Sequence, residues 1–168
     1  HRRHGAVFSR GVTVFRDTHA NGYRLLETPF KVNMLAVAAH RNPPTVEMPD
    51  GEKRFTPAEE EYMFHKARTI LRVAYANGQK ALVLGALGCG AFHNPPKHVA
   101  EIFRTVIREP EFAGIFESID FAIINDHNSN GNYEAFDDVF NSGLVGSTDR
   151  ESIIRTLSST GRPGIDRV

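Results

Sequence analysis

The chain has 168 residues, 40% apolar and 24% charged, enough for one globular domain with a real core. Lys and Arg total 20, and so do Asp and Glu, so charge gives no case for binding nucleic acid or an acidic membrane. No apolar run approaches membrane-spanning length and no secretory leader is visible; the one cysteine, Cys89, excludes an intrachain disulfide and points to a reducing, intracellular setting, cytoplasmic or nuclear.

The chain opens on His1 rather than Met, as a piece of a longer protein would. Val12-Thr13-Val14-Phe15-Arg16 alternates and is β-branched, a strand pattern, and Asn21-Gly22 marks a turn. Residues 31–39 (KVNMLAVAA) read as a nearly continuous apolar strand covered on both faces. Asn42-Pro43-Pro44 ends it. Residues 45–55, with Pro49-Asp50-Gly51, read as irregular.

A long helix is expected from Thr56, because Thr56-Pro57-Ala58-Glu59 has the form of a capping box. Met63, Ala67, Ile70, Leu71 and Ala74 recur at helical spacing, and Gly78 stands where a C-terminal glycine belongs. Residues 81–84 are the next strand. Asn94 can cap a second helix with Pro95 in its first turn; Val99, Ile102, Phe103, Val106 and Ile107 form its stripe and Pro110 stops it. Residues 119–124 (IDFAII) are the last clear strand, residues 126–132 a polar turn region, and Tyr133, Phe136, Val139 and Phe140 a short closing helix. One domain is expected over residues 1–141. Residues 142–168 read as a polar, loosely held tail, with some helical character at 151–157. Apolar strands alternating with amphipathic helices argue a three-layer α/β domain with a mostly parallel mixed sheet, whose ligands bind at the carboxyl ends of the strands.

One such end is the most informative segment. ALVLGALGCGAFHNPP, residues 81–96, runs from an apolar strand through Gly85, Gly88 and Gly90 to Phe92 and a helix start. Glycines let the main chain approach a ligand closely, and free N–H groups backed by a helix N-terminus favour an anion. The segment is neither a Walker A loop nor GxGxxG, since no Lys-Ser/Thr follows and Gly88-Cys89-Gly90 continues as Ala91-Phe92-His93. The tails of the strands at 31–39 and 119–124 carry His40-Arg41-Asn42 and Asn125-Asp126-His127 and can open on the same rim.

The run LVLGALGCGAFHNPPKHVAEIF, with KVNMLAVAAHRNPP upstream and FAIIND downstream, resembles the microbial-type poly(ADP-ribose) glycohydrolase family over about residues 11–140; VFRD at 14–17 looks like the family's lead-in. The resemblance implies a macrodomain-like fold, an ADP-ribose or poly(ADP-ribose) partner, and no cofactor. Gly88, Cys89, Gly90 and Ala91 would wrap the diphosphate and distal ribose. Phe92 would pack on that ribose, Asn94 would shape the loop, and Asn125 would lie on the adenosine side. The family's catalytic glutamate belongs to a GGG…QEE segment N-terminal to every matched stretch, and no such segment occurs in this sequence. This chain is therefore expected to be the C-terminal portion of such a domain, without its first strands and without a catalytic residue of its own. A complementing N-terminal fragment of the same protein is the expected partner. A non-catalytic ADP-ribose-binding module is the alternative.

Other residues invite blander readings. Glu59-Glu60-Glu61 sits in the first turn of a helix, where acids favour the positive end. Cys89 could be a nucleophile with His93 as base, but a small side chain between glycines is the simpler role. His93 and His98 lack any zinc spacing, and Asp120, Asp126, Asp137 and Asp138 read as solvated acids.

Overall fold

The computed structural model describes residues 4–124 and 131–141 with their side chains, and the backbone of Ile154–Ser158. The chain opens with a long antiparallel hairpin, β1 (Val7–Arg16) and β2 (Leu25–Ala36). Its register shifts between Ser9 and Val12, where Gly11 takes φ +63°, and again between Val14 and Arg16. The link is a single 3-10 turn at His19–Asn21, braced by the Asp17 carboxylate, which accepts from the Thr18 N–H at 2.8 Å and Asn21 Nδ2 at 2.9 Å. The sequence suggested a strand covered on both faces at 31–39. Instead Phe30 and Met34 are 52% and 53% exposed, because β2 pairs only with β1.

Residues 45–55 are not irregular. They close a small hairpin, β3 (Thr45–Glu47) with β4 (Lys53–Phe55). Its turn is made by the Met48 N–H to Glu52 O bond, 2.8 Å, and the Gly51 N–H to Met48 O bond, 2.9 Å. Strands this short leave no readable alternation.

Helix α1 (Pro57–Ala76) begins and ends as its sequence signals require, with Pro57 in the first turn and Gly78 in the left-handed region at φ +70°. The capping box is not formed. The Thr56 hydroxyl makes no cap bond, and Glu59 turns away to His40. β5 (Ala81–Leu84) and β6 (Ser118–Ile123) pair in parallel, and β7 (Ile154–Ser158) pairs in parallel on the far side of β6. Residues 151–157 had suggested a helix; β7 lies there because β6 offers a free parallel edge, a long-range partner with no local signature. Helix α2 (Pro96–Ile107) follows β5 and contacts both α1 and α3 (Asn132–Asn141).

The core lies where these helices meet the parallel sheet. Phe121 is fully buried, with Phe103 edge-on at 5.7 Å, Phe136 at 5.2 Å and Phe140 stacked at 4.8 Å. Each such aromatic pair is worth about 0.5–1.5 kcal/mol beyond its buried area. Arg68 holds the Glu109 carboxylate through Nε and Nη2, and Arg72 holds Glu111 in the same way, so α1 is clamped to the turn after α2.

Buried His98 joins three elements. Its Nδ1 accepts from the Phe55 N–H of β4 at 2.9 Å, so Nε2 carries the proton and faces Glu60 of α1 at 3.1 Å. Burial pushes its pKa below the ordinary 6.5, with Arg54 adding to the shift and Glu60 and Glu101 opposing it. The neutral ring is therefore the folded form. Its contribution is whole above 6.5 and is lost as the pH falls through the lower folded value. Urea unfolding should show stability falling from pH 7 toward pH 5, and His98→Gln should flatten that slope; an unchanged slope in the variant would rule out His98 as its source.

Candidate functional site

β5 delivers the chain into a compact loop at residues 85–95. Three of its amides close the loop on itself: Cys89 N–H to Ala86 O at 3.0 Å, His93 N–H to Gly90 O at 2.8 Å, and Asn94 N–H to Gly88 O at 3.0 Å. Gly88 is required twice over. Its φ is +75°, and a Cβ there would lie 2.5 Å from both Ala39 Cβ and Asn94 Nδ2. His93 adopts φ +54° and Asn42 φ +50°, left-handed conformations that cost a non-glycine residue free energy and cluster at functional sites. The Asn42 N–H donates to Phe92 O at 2.9 Å and ties the tail of β2 to the loop.

The loop is braced by Asn94, which is 2% exposed. Its Nδ2 donates to His40 O at 2.8 Å, Gly88 O at 3.0 Å and Phe92 O at 3.2 Å. Asn94 is therefore not the helix cap its position suggested. Helix α2 starts one residue later than the sequence implied, at Pro96, with Pro95 in the cap position, and the Asn94 side chain is spent on the loop. Among the described residues Asn94 Oδ1 is buried without a hydrogen-bond partner, a desolvation cost set against the contacts of Nδ2.

With those bonds made, the main-chain N–H groups of Gly90, Ala91 and Phe92 donate to no acceptor among the described residues. Gly90, Ala91 and Phe92 line a hollow of about 390 Å³ between the loop and residues 37–39. Phe92 forms its wall and is 39% exposed, and Ala91 beside it is exposed as well. The sequence-nominated Gly88, Cys89, Gly90, Ala91, Phe92 and Asn94 thus come together in one loop. The Cys89 and Asn94 side chains are turned inward, so those two residues offer an outside ligand only main chain. Asn125 and Asp126 lie outside the described residues.

Sequence reasoning missed Val37, Ala38 and Ala39, the opposite wall. The repeated Asn-Pro-Pro at 42–44 and 94–96 was the available signal, since both asparagines meet at this junction. It also missed the partners of the acidic triplet. Glu59 binds His40 Nδ1 at 2.7 Å, Glu60 binds His98, and Glu61 lies 3.7 Å from His65 Nε2, so each carboxylate has a histidine.

Cys89 is 3% exposed and burial pushes its pKa up to about 12, so it is a packed thiol and not a nucleophile. Among the described residues no group of three or more His, Cys, Asp or Glu is placed to hold a metal ion.

Two outcomes follow from this geometry. Asn94→Ala should lower the unfolding free energy by about 1–3 kcal/mol and speed exchange of the hydrogen-bonded Cys89 and His93 amides more than those of β6. The Cys89 thiol should resist Ellman's reagent at pH 8 in the folded protein and react fully in urea; rapid labelling of the native protein would contradict the burial argument.

No protein-family model matches this chain, and the search of curated proteins gives no match. Solved structures do match. The poly(ADP-ribose) glycohydrolase of Deinococcus radiodurans in complex with ADP-ribose is 34% identical, with a TM-score of 0.66, over 82% of this chain and 52% of that one. Its apo form matches at 32% identity and a TM-score of 0.64, over 82% and 53%. The poly(ADP-ribose) glycohydrolase of Thermomonospora curvata matches at 32% identity and a TM-score of 0.64, over 80% and 46%. In sequence, at 32–34% identity, and in its macrodomain-like α/β fold this chain is similar to these bacterial poly(ADP-ribose) glycohydrolases, and it spans about half the length of the chains it matches.

Proposed function

We propose that the loop at 88–94 grips the diphosphate and distal ribose of an ADP-ribose unit, as part of an enzyme that hydrolyses ribose–ribose bonds in ADP-ribose polymers. The observation that carries this reading is the row of unused N–H groups at Gly90, Ala91 and Phe92 beside an exposed aromatic. Backbone donors held at fixed positions bind oxyanions without the entropic cost of ordering long side chains. Phe92 offers a flat apolar face to the sugar. The match to a structure holding ADP-ribose supports the ligand's identity.

Glycosidic hydrolysis needs a carboxyl group to protonate the leaving oxygen or to position water. No acidic side chain lines the hollow beside Phe92 among the described residues, and the Glu59 and Glu60 carboxylates are engaged with histidines. The catalytic carboxylate is therefore assigned to polypeptide outside the described residues. The same observation favours the second reading, a module that binds ADP-ribose and cuts nothing.

Calorimetric titration with ADP-ribose is the test. Gly90→Glu, which places a negative charge against the diphosphate, and Phe92→Ala should each weaken binding by at least about tenfold, some 1.4 kcal/mol. Glu61→Ala should leave it unchanged. Binding indifferent to Gly90→Glu would end the diphosphate assignment. Release of ADP-ribose from polymer by this chain alone would end the assignment of the carboxylate to another segment.

A further inference from the structure

We infer that His98 is a positioning residue for the glycine loop: its neutral ring holds the β3–β4 hairpin and, through the hairpin and Asn42, the wall at Phe92, so that protonating the ring in acid slackens the ligand loop. The path consists of three hydrogen bonds. His98 Nδ1 accepts from the Phe55 N–H of β4 at 2.9 Å. The next residue, Thr56, donates its N–H to Pro44 O at 3.2 Å, and Asn42, two residues before Pro44, donates its N–H to Phe92 O at 2.9 Å. After Asn42 come Pro43 and Pro44, whose rings fix φ, so a shift at Pro44 passes to Asn42 instead of being absorbed. The ring itself belongs to α2, the helix that the loop enters. His98 lies four residues after Asn94, whose Nδ2 also donates to Phe92 O, at 3.2 Å. Both arms thus end on Phe92 O.

A backbone nitrogen can only donate, so the bond to Phe55 exists only while Nδ1 is bare. Protonation leaves the amide of a buried residue facing a second N–H. The charged groups around the ring are Glu60 of α1 at Nε2, Arg54 of β4, and Glu101 and Arg104 of α2 itself, which line one hollow of about 420 Å³ with it. Burial and Arg54 oppose the charged ring, and Glu60 and Glu101 favour it. Two ion pairs, Lys97 with Glu52 and Arg54 with Glu101, keep the hairpin moored to α2, so acid frees its end at Phe55 and not the whole element. The left-handed backbone of Asn42, φ +50°, is held from both sides, and release of one side lets it relax. The N–H groups of Gly90, Ala91 and Phe92 then lose their fixed spacing, and an anion must order them as it binds. The coupling is reciprocal: protonation weakens binding, and bound ligand makes His98 less basic. The effect on ligand rests on the ADP-ribose site proposed above; the latch itself does not.

The test is a titration from pH 7.5 to pH 4.5, followed by amide NMR on the chain alone and by calorimetry with ADP-ribose. The Phe55, Thr56 and Asn42 amides are expected to shift with one midpoint, that of the His98 ring. His98→Asn sets an acceptor that does not protonate at the place of Nδ1, and should abolish the common midpoint. Glu60→Gln removes a carboxylate that favours the charged ring, and should move the midpoint to lower pH; it decides the matter if His98→Asn fails to fold. ADP-ribose affinity should fall at least about tenfold over the range in the unaltered chain and less than about threefold in His98→Asn, and saturating ligand should lower the His98 midpoint. The assignment is overturned if the Asn42 amide ignores the His98 titration, or if Glu60→Gln leaves the midpoint in place. It is also overturned if His98→Asn keeps the pH dependence, since His40 or His93 is then its source. If ADP-ribose fails to bind at pH 7.5 the ligand reading falls, and the amide titration still decides the latch.

Discussion

The shape of the glycine loop and of the hollow beside it depends on one side-chain amide. Asn94 Nδ2 reaches three carbonyls from two distant parts of the chain, His40 on the tail of β2 and Gly88 and Phe92 on the loop. A loop rich in glycine has many conformations to lose, and ordering it costs free energy for every residue fixed. Bonds to its carbonyls, with the Cys89, His93 and Asn94 N–H groups spent inside the loop, fix the backbone and leave three neighbouring donors over. The division is chemical: the protein consumes the C=O groups, and the N–H groups of residues 90–92 stay available to an anion.

That brace works only because its surroundings do not move. Cys89 fills the space behind the loop as a small apolar group, and Val99, Ala100 and Phe103 of α2 are buried against the same core. On the far side of α2, His98 fastens β4 and α1 to the helix by one ring. The left-handed backbone at His93 and Asn42 is the strain left over. It is tolerated because hydrogen bonds on both sides of the junction over-determine the geometry.

The helices and the loop were legible from local signals. Helical spacing, Pro57 and Gly78 fixed α1, and the run from Ala81 to Pro96 declared a strand, a glycine turn and a helix. What escaped was everything decided at long range. Asn94 reads as a cap because Asn-Pro-Pro is a helix-start pattern, yet its partner His40 is 54 residues away. Glu59 and Glu60 read as acids favouring a helix end, yet each turns to a histidine on another element. β7 reads as weakly helical because only β6, more than thirty residues earlier in sequence, offers it a ladder. β3 and β4 are too short for alternation to show.

Asn94 is followed by Pro95, and Asn42 by Pro43. Asparagine ages in proteins mainly when the next residue's backbone nitrogen attacks the side-chain carbonyl and expels ammonia through a cyclic imide. Proline has no N–H with which to complete that attack. Asn21 precedes Gly22, Asn77 precedes Gly78 and Asn130 precedes Gly131, so all three lie in the dipeptide that cyclises most readily. Slow chemical decay in storage should therefore register first at the tip of the β1–β2 hairpin, at the end of α1 and just before α3, while the clasp over the glycine loop keeps its ammonia.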